Sequence, residues 1–285
     1  MTPTQTDVSS LIDRYDALFF DSFGVLVDGV DALPSAIDLV DRMNAEGANY
    51  FVVTNDASAS LATRIKKFTR QGLNIPIERI VNSGGLIAGY FEQNDLAGRP
   101  TLVLGTQDAK DYTTAAGAKL VELDGETEPD VVVLGHSGPH DWESTLKSLL
   151  TLFSRRFTEN NPVQLVLPNP DFIYPNGPGV FGFGAAAFAD LLEQALKRLH
   201  GNHEALVASK LGKPYSPIFN EAIKRAGSKN VVMIGDQLET DILGANRAGI
   251  DSAVVSTGIN RRITPDEFAE VADELTPRYI LASLV

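Results

Sequence analysis

Short apolar runs alternate with amphipathic stretches along nearly the whole chain, and this alternation constrains the fold more than any other feature. Strands buried on both faces of a parallel sheet read as continuous aliphatic and aromatic runs, whereas crossover helices repeat their apolar residues every three to four positions. Runs of the first kind occupy residues 17–21, 50–54, 101–104, 131–134, 163–167, 231–234 and 253–255. Between the first two, PSAIDLVDRMNAEG sets Ile37, Val40 and Met43 at helical spacing, with Pro34 suited to a helix start and Gly47 to its end. SLATRIKKFTRQG repeats the pattern with Leu61, Ile65 and Phe68, and Gly72 is its expected C-cap. The pattern predicts an α/β chain with a largely parallel sheet.

A break is expected after VNSGG at 81–85 and another in the polar HGNHE at 200–204. The segment between them carries strands and helices of its own, so it reads as a domain inserted into a domain. The expected parts are residues 1–84 and 206–285 for the core and 85–205 for the insertion. The 24 basic against 37 acidic residues, a net charge of -13, argue against a nucleic-acid or anionic-membrane surface. An anionic small molecule then needs one locally positive site. The absence of cysteine excludes disulfides, thiol nucleophiles and Cys-ligated metals. The amino terminus MTPTQTDVSS has no basic region leading into an apolar one, and no run approaches the ~18 apolar residues of a membrane span, so a cytoplasmic protein is expected.

Ligands of open parallel sheets bind beyond the carboxyl ends of the strands. Four segments place polar residues there: FFDSFG ends on Asp21, YFVVTNDAS on Thr54, Asn55 and Asp56, SKLGKPYSP carries Lys213 just before a helical run, and VVMIGDQLETDILGANRAG carries Asp236 and Asp241. Singly, each reads as a turn former, a helix cap or a solvated lysine. Jointly they supply what phosphoryl transfer onto a carboxylate requires. An Asp attacking a phosphate dianion meets like-charge repulsion that a divalent cation and a lysine must offset. Asp21 and Asp236 can hold Mg²⁺ as hard oxygen ligands, Thr54 and Asn55 can donate to phosphoryl oxygens, and Lys213 can bridge Asp21 and the phosphate.

In this order, with a large insertion between the second and third, DSFGVLVDG, VVTNDAS, GKPYSPIF and IGDQLETDI resemble the four motifs of the haloacid dehalogenase-like superfamily. The αβ insertion, the NPDFIYPNG stretch at 169–177 and the GKP triplet are similar to its subfamily IIA, the sugar-phosphate, nucleotide and pyridoxal-phosphate phosphatases. The resemblance implies a Rossmann-like, three-layer parallel-sheet core with an inserted αβ cap of type IIA, Mg²⁺, and an aspartyl-phosphate intermediate. It implies Asp21 as nucleophile, Thr54 and Asn55 as phosphate binders, Lys213 as the charge-neutralising lysine, Asp236 as metal ligand and Asp241 as an outer-shell partner. Phe23 then ligates the metal through its backbone carbonyl, Asn169 and Asp171 touch substrate from the cap, and a homodimer forms through the cap.

Phe23 departs from the pattern, because phosphatases of this family normally carry there the Asp that protonates the leaving oxygen and activates the hydrolytic water. Loss of general acid-base catalysis is worth ~10²- to 10⁴-fold. Three readings follow: a Mg²⁺-dependent phosphohydrolase of a small phosphorylated metabolite, a haloacid dehalogenase-type hydrolase using the same Asp, or a phosphoryl-ligand binding protein with impaired turnover. For the first, Asp28, Asp56, His136 and Asp171 are candidate replacements for the acid. GPGVFG at 177–182 matches the G-x-G-x-x-G fingerprint only formally and reads as a turn feeding the helix AAAFADLLEQALKRL. Trp142 reads as packing, and His200 and His203 show no metal-ligand spacing with an acidic partner.

Overall fold

The computed structural model describes residues 2–284 except 124, 139, 176–179 and 263. In chain order, β1 (Thr4–Thr6), β2 (Ala17–Phe20), β3 (Tyr50–Thr54) and β4 (Ile80–Asn82) come first. The insertion adds β5 (Pro100–Leu104), β6 (Lys119–Val121), β7 (Val131–Leu134), β8 (Gln164–Leu167), β9 (Ile173–Pro175), β10 (Phe181–Phe183) and β11 (Ser209–Lys210). The chain then forms β12 (Val231–Gly235), β13 (Asp251–Val255) and β14 (Tyr279–Leu281).

The chain divides into two compact units, the core (residues 1–54, 61–82 and 213–285) and the inserted unit (55–60 and 83–212). The borders expected at 84/85 and 205/206 compare with divisions at 82/83 and 212/213. The second lies later because β11 pairs with β8 through Ser209↔Val166 and Lys210↔Leu167, which keeps the chain in the second sheet up to Gly212.

The core is built on a seven-stranded sheet of order β1-β14-β13-β12-β2-β3-β4, and every neighbouring pair is parallel. Every residue of β2, β3 and β12 is buried, the burial that their unbroken apolar sequences require. Successive side chains of β2 serve opposite faces. Leu18 and Phe20 join a cluster with Leu39, Val40 and Met43 of the helix Pro34–Glu46, while Phe19 meets Phe51 edge-on at 6.0 Å between ring centroids. Pro34 starts that helix and Gly47 ends it with φ 68°, the left-handed cap conformation a glycine adopts without strain. The helix Ser216–Ala226 packs against β3 and β4. From β2 the chain moves outward through β3 and β4 on one side, and through β12, β13 and β14 on the other. The switch point therefore lies between the carboxyl ends of β2 and β12.

The inserted unit has its own five-stranded parallel sheet, order β11-β8-β7-β5-β6. The helices Trp142–Thr158 and Ala185–His200 pack together, and Leu149, Phe153, Leu192 and Leu196 from them share a core with Val132, Leu134 and Leu165. The helix Leu86–Gln93 supplies Ile87 and Phe91 to a second cluster with Val103, Val131 and Val133. An antiparallel hairpin pairs β9 with β10. Of the formal glycine fingerprint, Gly177 and Gly179 lie outside the described residues. Gly182 lies in β10 rather than in a turn, and Gly184 caps the following helix. Among the described residues, no helix is long and apolar enough to cross a membrane.

Candidate active site

Strand register brings the acids together. Asp21 and Asp236 each follow the last residues of neighbouring strands, β2 and β12, which pair as Phe20↔Ile234. Thr54 ends β3, whose Val52 lies opposite Phe20, so it stands buried at the same carboxyl edge. Asp241 enters through an irregularity: Leu238–Ile242 forms a turn of π-helix, in which Ile242 N donates to Gln237 O at 3.3 Å. Such turns recur at functional sites because the extra residue redirects a side chain. Here it returns the Asp241 carboxylate onto the strand end, where Oδ2 accepts from Gln237 N at 3.1 Å. Only glycine fits before Asp236, since a Cβ at Gly235 would lie 2.2 Å from Asp241 Cγ.

The Lys213 ammonium lies 2.7 Å from Asp21 Oδ1 and 2.7 Å from Asp241 Oδ1. Asp21 Oδ1 also accepts from Ser22 N at 2.7 Å. Asp236 Oδ2 accepts from Ile259 N at 2.5 Å, while Asp236 Oδ1 is buried with no hydrogen-bond partner. Asp21, Lys213, Asp236 and Asp241 are all at most 5% exposed, and the three carboxylates offer oxygens within 4.8 Å of one another. Three carboxylates thus face one ammonium inside the protein. Burial holds the Asp21 carboxyl well above its ordinary range; Lys213 opposes this, and Asp241 and Asp236 add to it. Burial and the Asp241 charge push Asp236 up to about 7, against the Ile259 N–H. For Lys213 burial favours the neutral amine, but Asp21 and Asp241 outweigh it and raise the pKa.

This donor set fits a divalent cation. Hard carboxylate oxygens converge, one of them is buried without a partner, and the excess negative charge is what Mg²⁺ offsets. Asp21 and Asp236 are the residues that would hold it. Both oxygens of Asp241 are engaged, by Lys213 and by Gln237 N, which suits a supporting position outside the ligand shell.

The other predicted residues fall elsewhere. The Phe23 ring packs at the edge of the core cluster and against Gly29, where a Cβ would lie 2.5 Å from its Cζ. Asn55, Asn169 and Asp171 come together within the inserted unit: Asn55 Nδ2 donates to Asp171 Oδ1 at 2.7 Å, and Asp171 N to Asn169 Oδ1 at 2.9 Å. Asp28 accepts the N–H groups of Asp31 and Val30, which hold its carboxyl below the usual range and make it a poor proton donor. Asp56 Oδ1 accepts from Ser58 N and Ser58 Oγ as a turn former does. In the inserted unit His136 Nδ1 is buried without a hydrogen-bond partner. Trp142 stacks on Phe188 at 3.8 Å, and His200 shares a hydrogen bond with Ser154 Oγ, so both are structural. Sequence reasoning passed over Gly24, Thr257, Gly258 and Ile259, which surround Asp236. Their one signal is S-T-G directly after an apolar strand.

Comparison with known proteins bears on the whole arrangement. Residues 18–119 match the family model of the haloacid dehalogenase-like hydrolases, and residues 210–285 match a second model described as HAD-hydrolase-like. D-glycerol 3-phosphate phosphatase of Mycobacterium tuberculosis is 26% identical over 254 residues, which cover 89% of this chain and 66% of that protein, just under two thirds of its length. Glycerol-3-phosphate phosphatase of Homo sapiens is 28% identical over 277 residues, covering 88% and 82% of the two chains. The crystal structure of a possible sugar phosphatase of the HAD superfamily from Cytophaga hutchinsonii superposes with a TM-score of 0.83 at 26% identity, covering 99% of each chain. With both motif-bearing segments matched and the acids meeting at the switch point, the chain belongs to the haloacid dehalogenase-like hydrolases.

Proposed function

We propose that this chain is a Mg²⁺-dependent phosphohydrolase that acts on a small phosphorylated metabolite, a sugar phosphate or similar, through an aspartyl-phosphate. The observation that carries the reading is the buried Asp21–Lys213–Asp241 chain beside Asp236 with its unpartnered oxygen. Asp21 attacks phosphorus, a carboxylate–phosphorus bond forms, the ester oxygen leaves with the electron pair, and water then cleaves the acyl phosphate. Lys213, fixed by two carboxylates, lowers the repulsion between Asp21 and the incoming dianion. Asp21, Asp236 and the Phe23 carbonyl would hold Mg²⁺, which would supply further charge neutralisation. Thr54, at the end of β3, donates to the phosphoryl oxygens, as does Asn55 once its amide is released from Asp171. Asn169 and Asp171 contribute to substrate choice. The names of the glycerol-phosphate phosphatases support a substrate of that size. The exposed Phe172, Phe181 and Phe183 of the inserted unit support a homodimer through that unit.

Phe23 favours a second reading, a phosphoryl-ligand binding protein with impaired turnover, because its ring packs on Gly29 and the neighbouring Asp28 is held as an anion. One experiment separates the two. Phosphate release from p-nitrophenyl phosphate is measured with Mg²⁺ and with EDTA, for the native chain and Asp21→Asn. Release that needs metal and is abolished by Asp21→Asn supports the phosphohydrolase. Ligand-induced thermal stabilisation with no release supports the binding protein, and release that survives Asp21→Asn sinks both the nucleophile and the reading.

A further inference from the structure

The loop after β13 does more than connect. Thr257 Oγ1 donates to Gly24 O at 2.5 Å, Ile259 N to Asp236 Oδ2 at 2.5 Å, and Asn260 N to Asp236 O at 3.0 Å. The loop is anchored by buried Asn260, whose Nδ2 donates to Arg262 O at 2.9 Å and whose Oδ1 accepts from Arg262 N at 3.1 Å. Asp236 is therefore clamped between two stretches of bare main chain. A Cβ at Gly24 would lie 2.4 Å from Asp236 Cγ, and one at Gly258 would lie 1.9 Å from Asp236 Oδ2. Thr257 closes the clamp, since its hydroxyl joins the loop to the Gly24 side. One carboxylate oxygen is consumed by the Ile259 N–H, and the other is left buried and unpartnered.

We infer that residues 257–259 form a positioning clamp for Asp236, in which Thr257 latches the loop to Gly24 so that Asp236 Oδ1 is held ready for the divalent cation; the inference rests on the proposed metal-dependent reading. Thr257 itself is exposed, so its hydroxyl is not needed to fill the core. Its effect reaches the cation only through Asp236. Groups that orient a metal ligand in this way typically change affinity by about 10- to 100-fold when lost.

The test is Mn²⁺ binding, followed by electron paramagnetic resonance of the free ion, in the native chain, Thr257→Val and Thr257→Ser, with melting temperatures recorded in EDTA. Thr257→Val is expected to weaken Mn²⁺ binding about tenfold while its melting temperature in EDTA stays near the native value. Thr257→Ser, which keeps the hydroxyl, is expected to bind as the native chain does. Native-like Mn²⁺ affinity in Thr257→Val overturns the clamp alone, as does equal weakening in Thr257→Ser, which would assign the effect to the methyl group. A native chain that binds no Mn²⁺ overturns the clamp together with the metal-dependent reading. Gly258→Ala gives a second check, because it pushes on Asp236 without touching the Thr257 hydroxyl. It is expected to weaken Mn²⁺ binding at least as much.

Discussion

At the scale of single residues, Phe23 matters most to the proposed phosphohydrolase, because a phenyl ring supplies no proton to a leaving oxygen. Its ring packs on the core edge and against Gly29. Substrates whose leaving oxygen needs little protonation, such as aryl and acyl phosphates, should therefore turn over better than glycerol or sugar phosphates. Phe23→Asp is expected to raise kcat on an alkyl phosphate by ~10²- to 10⁴-fold and to change p-nitrophenyl phosphate hydrolysis far less. The same change removes a half-buried ring at a cost of roughly 1–2 kcal/mol of stability, so urea titration should register it. Equal gains on both substrates would mean that the leaving-group proton is not what Phe23 withholds.

Whole elements differed in how plainly the sequence announced them. The seven longer apolar runs are all strands, with ends shifted by at most two residues, because burial on both faces demands uninterrupted apolar sequence. β1, β4, β6, β9, β10, β11 and β14, each of two or three residues, have too little length for any periodicity, and pairing with a neighbour defines them. The acids at strand ends were legible as a set, whereas the π-turn that aims Asp241 leaves no pattern in LETDI. The Thr257 loop was illegible because it acts largely through main-chain groups. At the β1–β14 edge of the core, Tyr15 OH donates to Asp251 Oδ2 at 2.5 Å and lies 3.0 Å from Tyr279 OH. Burial, then Asp251 and Tyr279, raise the Tyr15 pKa well beyond its ordinary value. A raised folded-state pKa gives stability that is complete below the unfolded value of about 10 and is lost as pH rises toward the folded one. Tyr15→Phe should be less stable by roughly 1–2 kcal/mol near pH 8, and the gap should narrow above about pH 10. A gap independent of pH in chemical denaturation would contradict this.

For the molecule as a whole, two units with separate cores imply that stability and chemistry can be moved independently. The acid cluster belongs entirely to the core unit, and without metal its surplus negative charge opposes folding of that unit. Asp21→Asn is therefore expected to raise the metal-free melting temperature of the core by a few degrees, equivalent to about 1 kcal/mol, while ending turnover. Calorimetry should show the inserted unit's transition unmoved. Added Mg²⁺ should stabilise the native core more than that of Asp21→Asn, and the reverse order would remove the cation from Asp21. Activity and stability then pull against each other at one side chain.

Gly24, Gly235 and Gly258 meet the acids with bare main chain, Gly24 in the left-handed region at φ 76°. Anyone transplanting this centre into a different scaffold would inherit an awkward recipe. Copying Asp21, Lys213, Asp236 and Asp241 would deliver four charges without room for two of them, because Asp236 and Asp241 pack against three positions that carry no side chain at all. In a saturation library those glycines should emerge as intolerant as the charged residues, although none of them has a functional group to lose.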